Sequence, residues 1–324
     1  MQRFQLVQGV VLSWLLVAGI AVPGVPTANA AAPAAKPPTV STGSVALVSA
    51  SSAMLKGSLN PHGAETSCYF QYGPTAAYGF QTAPATAGAT PGEVKVTKLI
   101  AGLQSGTVYH YRLVATNAIG TTVGQDATFT TKKIPLTFKA AAAPNPVVFG
   151  NSFSISGTLS GTNSANHAVV LQANPFPYST GFTTVGPPKL TDTTGAFAFP
   201  VANLQQNTKF RVTTLGVPAI KSAVLTELVA VRVSLHVRAT GRHGYVRFYG
   251  RVAPAQIGAL VGFQLLRHGH PPLNVAGAAV KRASSGTSSF SRIVRVRRAG
   301  LYRAFVQVKS LRQASGSSRA LRIR

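Results

Sequence analysis

Acidic side chains are almost missing from this chain. It has 324 residues with 31 Lys and Arg against only five Asp and Glu, a formal charge of +26 at pH 7. The five acids are Glu65, Glu93, Asp126, Asp192 and Glu227, and none lies beyond position 227. They are scattered along the chain, without the close carboxylate pair that glycosidase chemistry needs. A Gly-x-Ser-x-Gly elbow and a Gly-rich loop ending in Lys-Ser/Thr are also missing, which removes two common nucleophile and phosphate-transfer patterns. His268-Gly269-His270 places two imidazoles on one side of an extended segment, but no further metal ligands accompany them. That stretch reads as an exposed turn before Pro271-Pro272. The expectation is a non-enzyme: no catalytic residue, no metal and no cofactor.

Cysteine is nearly absent as well. Cys68 stands alone, so an intrachain disulfide is excluded and stability must come from packing. Its apolar surroundings, Cys68-Tyr69-Phe70-Gln71-Tyr72, predict a buried thiol. Helical periodicity appears nowhere after the first segment. Short runs of Val, Thr, Tyr and Phe, cut by Gly, Pro, Asn and Ser, predict an all-β chain.

Long apolar runs are limited to one, from Val7 to Val22. It is shorter than the ~20 residues a membrane-spanning helix needs. Arg3 before it, Pro23 and Pro26 behind it and the small-x-small triplet Ala28-Asn29-Ala30 give the pattern of a secretory signal peptide over 1–30. No integral membrane span is expected in the mature chain. Residues 31–42, with Pro33, Pro37 and Pro38 among alanines, are expected to form an extended, disordered linker.

The rest suits two or three domains of roughly 100–150 residues. In the first, Tyr109, Tyr111, Leu113 and Ala115 alternate with His110, Arg112, Val114 and Thr116, the period of a half-buried strand. This stretch resembles strand F of a fibronectin type III domain. Ala53–Gly63 resembles strand B and its turn in the bacterial branch of that family, Tyr69–Gly73 strand C, Leu103–Tyr109 the E–F corner, and Thr128–Thr131 strand G. The resemblance implies a β-sandwich over 43–133 and gives Tyr109 the corner role, its hydroxyl reaching backbone a few residues upstream. Met54 or Leu55 stands where the animal branch has tryptophan on strand B. Fold alone does not carry function.

The second domain is expected over 134–229. Thr191–Phe199 resembles the turn and strand of transthyretin-like or carboxypeptidase-regulatory-like sandwiches, with Asp and Gly in a tight turn and alternating phenylalanines entering the core. The third, 230–324, repeats the order of pieces in degenerate form: Val246–Val252, Ala259–Leu265, then Ser285–Phe290 in place of the Asp-Gly turn, then Gly300–Val306. The fold class expected is therefore three tandem fibronectin type III/Ig-like β-sandwiches.

The positive charge concentrates at the end. Positions 232–324 hold sixteen Arg and two Lys. Alternation turns Val231, Val233, Leu235 and Val237 inward and Arg232, His236 and Arg238 outward. It likewise sets Val246, Phe248 and Val252 against Tyr245, Arg247, Tyr249 and Arg251, and Val294 and Val296 against Arg295 and Arg297. Burying these cations unpaired would be prohibitive. The candidate anion-binding set is Tyr245, Arg247, Tyr249, Arg251, Arg295 and Arg297, where guanidiniums supply paired donors and rings can stack. Phe176, Tyr178 and Phe182, in a Pro/Gly/Ser loop, form a candidate sugar-stacking group.

The expected function is a secreted or cell-wall-associated, non-enzymatic binding or adhesion protein. Its basic C-terminal domain would contact an anionic envelope polymer or polysaccharide, with nonspecific attraction to nucleic acid following from the same field. Two alternatives stay open: a carbohydrate-binding accessory module, and a structural spacer without a specific ligand. No pattern in the chain encodes an oligomeric state.

Overall fold

A computed structural model describes residues 36–284 and 286–324. The expected signal peptide at 1–30, the first residues of the expected linker and Ser285 lie outside the described residues. The described residues contain only strands and loops, and no helix among them is long and apolar enough to cross a membrane.

The chain opens with β1 (Thr39–Thr42), β2 (Ser52–Asn60), β3 (Thr66–Gly73), β4 (Phe80–Gln81), β5 (Ala85–Gly88), β6 (Val94–Ala101), β7 (Val108–Asn117), β8 (Gly120–Val123) and β9 (Ala127–Thr130). One antiparallel sheet has the order β1-β2-β6; the other centres on β3 and β7, with β4 and β5 beside β3 and with β8 and β9 beside β7. In the lettering of the fibronectin type III fold this is an A-B-E sheet facing a C′-C-F-G sheet. Leu55, Phe70, Tyr111 and Leu113 fill the space between them, each at most 2% exposed. Burial of each such side chain is worth about 1.5–3 kcal/mol. Cys68 is buried in this core, and burial raises its thiol pKa. The Gln104 N–H donates to the Tyr109 hydroxyl at 3.0 Å, closing the corner expected of that tyrosine.

One detail differs from expectation. Thr39–Thr42, placed in a disordered linker, is strand β1, in register with Gly57–Asn60. The side chain of Asn117 ties the chain down just before it by donating to the Lys36 carbonyl at 2.8 Å. Proline-rich composition hid a strand whose partner lies elsewhere in the sequence. Val114, on the face opposite the Tyr109 row, is nonetheless 2% exposed, with Tyr69 and Val123 flanking it in register on the central strand of the sheet.

Next come β10 (Thr137–Ala143), β11 (Val147–Val148), β12 (Phe153–Ser160), β13 (Ala168–Pro175), β14 (Thr183–Leu190), β15 (Ala196–Val201), β16 (Thr208–Thr214), β17 (Leu225–Glu227) and β18 (Val229–Ala230). The sheets run β10-β12-β15 and β14-β13-β16-β17, the same order as in the first sandwich. The turn before β15 is as the sequence indicates. Asp192 Oδ1 accepts from the backbone of Thr194 and Ala196, Gly195 takes φ +82°, and Phe197 and Phe199 enter the core.

The last stretch contains β19 (Arg232–Val233), β20 (His236–Ala239), β21 (Tyr245–Ala253), β22 (Leu260–Arg267), β23 (His270–Ala279), β24 (Lys281–Ser284), β25 (Thr287–Arg295), β26 (Gly300–Gln307), β27 (Gly316–Ser317) and β28 (Leu321–Ile323). One sheet holds β19, β20, β21, β25 and β24; the other runs β23-β22-β26-β27, with β28 also on β26. His268 and Gly269 form the turn expected of them, and Pro271 and Pro272 follow it inside β23. The second sandwich repeats this with Pro187 and Pro188 in β14. Both are edge strands, where a missing N–H blunts pairing with a further strand.

Two signatures recur in all three sandwiches. In each, a glutamine of strand C lies directly opposite an arginine of strand F: Gln71 and Arg112, Gln172 and Arg211, Gln264 and Arg303. The arginine Nε donates to the glutamine Oε1 at 2.8, 2.8 and 2.9 Å. The residue before each arginine, Tyr111, Phe210 or Tyr302, is a buried core aromatic. The second signature is a glycine on strand B, at Gly57, Gly157 and Gly250, closely approached by a backbone carbonyl of strand A or its continuation. The repetition seen between the last two sandwiches thus extends to the first.

Candidate anion-binding surface

The β20–β21–β25 sheet has its core face packed and its other face in water. Alternation places Phe248 and Val252 in the core at 0% exposed, with Val294 at 5%. Val237 shares their side but stays 39% exposed, since β20 is a short edge strand. The outward face follows from register. Arg238 pairs with Arg247 and His236 with Tyr249; Tyr245 pairs with Arg295, Tyr249 with Ser291 and Arg251 with Ser289. Directly paired residues share a face, so Arg238, Arg247, Arg251 and Arg295 stand on one surface.

Aromatic rings interleave with these cations. His236 stacks on Tyr249 at 5.4 Å between centroids, and the Arg242 guanidinium lies 4.2 Å from the centre of the Tyr245 ring. Arg247 donates to Ser291 Oγ at 3.3 Å. A shallow concavity of about 570 Å³ runs across Arg238, Arg247, Tyr249, Arg251 and the β25 serines. The only ion pair among the described residues, His110 with Asp126 at 2.8 Å, belongs to the first sandwich. Among the described residues no carboxylate therefore pairs with the cations of this face.

Of the six residues grouped from sequence, five share this face. Arg297 does not: β25 ends at Arg295, and Arg297 borders a separate cleft that Arg295 also reaches. Arg238 and His236 complete the face. Their outward alternation was readable, but their pairing with β21 needed the fold.

The aromatic loop of the second sandwich is arranged differently. Phe176, Tyr178 and Phe182 are half-buried. Phe176 and Tyr178 meet edge-to-face at 5.6 Å. Lys209 lies 4.5 Å from the centre of the Tyr178 ring, and Arg211 4.2 Å from that of Phe182. Each of these two rings already has a cation against one face, an arrangement worth about 0.5–2 kcal/mol.

Glu227 was not singled out from sequence. It is fully buried, Oε1 accepts from the Val147 N–H at 3.1 Å, and Oε2 has no hydrogen-bond partner among the described residues. Burial pushes its carboxyl up to about 7. It ends β17, paired with Thr208 of β16, two residues before β18, whose Val229 and Ala230 pair with β11 and whose Ala230 also bridges to Ala314 of the third sandwich. Asn207 spans the same joint, its side chain donating to the Leu311 carbonyl at 2.8 Å and accepting from the Val229 N–H at 2.7 Å.

No protein-family model matches the chain, and no curated protein matches it. Among solved structures, a tetra-tandem repeat in the extending region of a large adhesion protein aligns at 17% identity and a TM-score of 0.34, covering 90% of this chain and 74% of that one. The FN1–FN3 domains of chicken CNTN1 align at 11% identity and a TM-score of 0.26, covering 89% and 98%. Neither likeness is close enough to carry a function across.

Proposed function

We propose that this chain is a non-enzymatic binding protein of the cell surface or extracellular space, and that its third sandwich holds an anionic polymer, an envelope polymer or polysaccharide, against the outer face of the β20–β21–β25 sheet. One observation carries the reading. Arg238, Arg247, Arg251 and Arg295 stand on one face in register, with stacked rings between them, in a sandwich without a single Asp or Glu. A polymer laid across this face releases the condensed counterions of both partners, a favourable entropic gain that added salt removes. The leader-like segment 1–30 and the lone cysteine agree with an exported, disulfide-free protein. The loop aromatics of the second sandwich suit a sugar less well, because Lys209 and Arg211 already lie against the Tyr178 and Phe182 rings.

Chromatography of the full chain on a polyphosphate resin tests this. Retention is expected at about 50 mM salt, with elution as salt rises. Arg247→Ala/Arg251→Ala should elute at distinctly lower salt. Flow-through of the unaltered protein at low salt would favour the plain spacer instead.

A further inference from the structure

β25 contains an inverted pair. Arg292 lies directly opposite Phe248 and between Phe290 and Val294, so it occupies the core-facing row of the strand. Those three neighbours are 0–5% exposed. Ile293, one step along, faces water at 49% exposed. An apolar residue belongs in the first place and a polar one in the second. Arg292 itself is exposed, so the row leaves the core at this position. Arg292 reaches across to the opposite sheet and donates to the Gly277 carbonyl of edge strand β23. The pairing of β23 with β22 shifts register nearby, between Phe263 and Gln264.

Here lies a cleft of about 770 Å³ bordered by Arg267, Arg292, Arg295, Arg297 and Arg298. Its volume falls within the range of about 300–1,000 Å³ typical of ligand sites. Two of the cations are held by protein carbonyls: Arg267 donates twice to Pro271 O, at 3.2 and 2.7 Å, and Arg292 is tied to Gly277. Among the described residues no hydrogen bond engages the guanidiniums of Arg295, Arg297 or Arg298. The turn carrying the last two is pinned from below, since the buried Tyr302 hydroxyl donates to the Arg298 carbonyl at 2.6 Å. Leu265, Leu273 and Val275 add apolar wall.

We infer that this cleft binds tetrahedral oxyanions, the phosphate or sulfate esters of a glycan or polyol polymer, with the carbon backbone against the apolar wall. Guanidinium forks present paired N–H donors that match two oxygens of such an ester, and several forks around one cleft match an ion with charge on more than one face. A lone carboxylate offers only two oxygens in one plane. The inference rests on the proposed polymer-binding role and adds to it a seat for one ester, while the flat outer face holds the neighbouring stretch.

Calorimetric titration of the full chain tests the cleft apart from the face. The probes are tripolyphosphate, dextran sulfate and, at matched charge, polygalacturonate. Tripolyphosphate and dextran sulfate should each bind at least about tenfold more tightly than the carboxylate polymer. Arg297→Ala/Arg298→Ala, on an exposed turn outside the core, should weaken tripolyphosphate by about tenfold or more. Arg292→Lys, which keeps charge but loses the fork, should weaken it several-fold. Arg247→Ala/Arg251→Ala should leave tripolyphosphate within about twofold, because those residues lie on the other face. Equal affinity for the carboxylate polymer, or an unchanged constant in Arg297→Ala/Arg298→Ala, overturns the inference. Loss confined to Arg247→Ala/Arg251→Ala would overturn the cleft and leave the surface reading intact.

Discussion

Gly250→Ala is expected to destabilise the third sandwich by about 3 kcal/mol or more. A Cβ at Gly250 would stand 1.9 Å from the Ser234 carbonyl oxygen and 2.7 Å from the ring of Phe290. The first neighbour is backbone and cannot swing away. Relief requires moving the segment between β19 and β20, which the Ser234 N–H and the Arg251 carbonyl hold in place at 3.0 Å. Gly157 has the same constraint, with the Lys139 carbonyl oxygen 2.0 Å from a built Cβ, and its alanine variant should weaken the second sandwich comparably. Gly241→Ala is the control in the third sandwich, because nothing lies within 4 Å of its built Cβ. It should leave stability within about 0.5 kcal/mol. Calorimetric unfolding separates the two outcomes, and equal transitions for Gly250→Ala and Gly241→Ala would refute the close-approach argument.

Glu227 should make the second sandwich lose stability as pH rises. Its carboxyl is raised from 4.5 to about 7 by burial, opposed only by the Val147 N–H, and no charged side chain contributes. The folded protein therefore holds a proton that the unfolded chain has released between these values, so unfolding is favoured by raising pH through that window. The stabilisation is fully present below pH 4.5 and lost as pH passes about 7. Between pH 5 and 8 the group should cost roughly 2–3 kcal/mol. Glu227→Gln keeps the acceptor for the Val147 N–H and cannot ionise. Its stability should be flat over that range relative to the unaltered protein, and higher at pH 8. Parallel pH dependence of the two proteins would contradict the assignment.

Much of the sandwich architecture was legible because it depends on local alternation. The inward row Tyr109, Tyr111, Leu113 and Ala115, the Asp192 turn and the outward arginines of β21 all follow from period-two patterning and turn chemistry. What stayed hidden depends on partners distant in sequence. β1 pairs with β2 despite its proline-rich approach. The Gln71–Arg112, Gln172–Arg211 and Gln264–Arg303 bonds need the C–F register, and so does the likeness of the first sandwich to the other two. Arg292 carried a local signal of its own. The run Phe290-Ser291-Arg292-Ile293-Val294 breaks alternation at its centre, and such a break beside an otherwise regular strand marks a place where packing has yielded to something else. Glu227 had no such mark, since its burial arises where β17, β18 and β11 meet.

The central claim is that the arginines of the third sandwich act together on a polyanion. Its most direct measurement is the affinity of the full chain for inorganic polyphosphate across a salt series. A linear fall of log K with log salt is expected, with a slope magnitude of about 3 or more, at roughly 0.7 per neutralised phosphate on a flexible strand. Arg247→Ala/Arg251→Ala should lower that magnitude by about 1 or more. A slope near zero, or one that those substitutions leave unchanged, would contradict it.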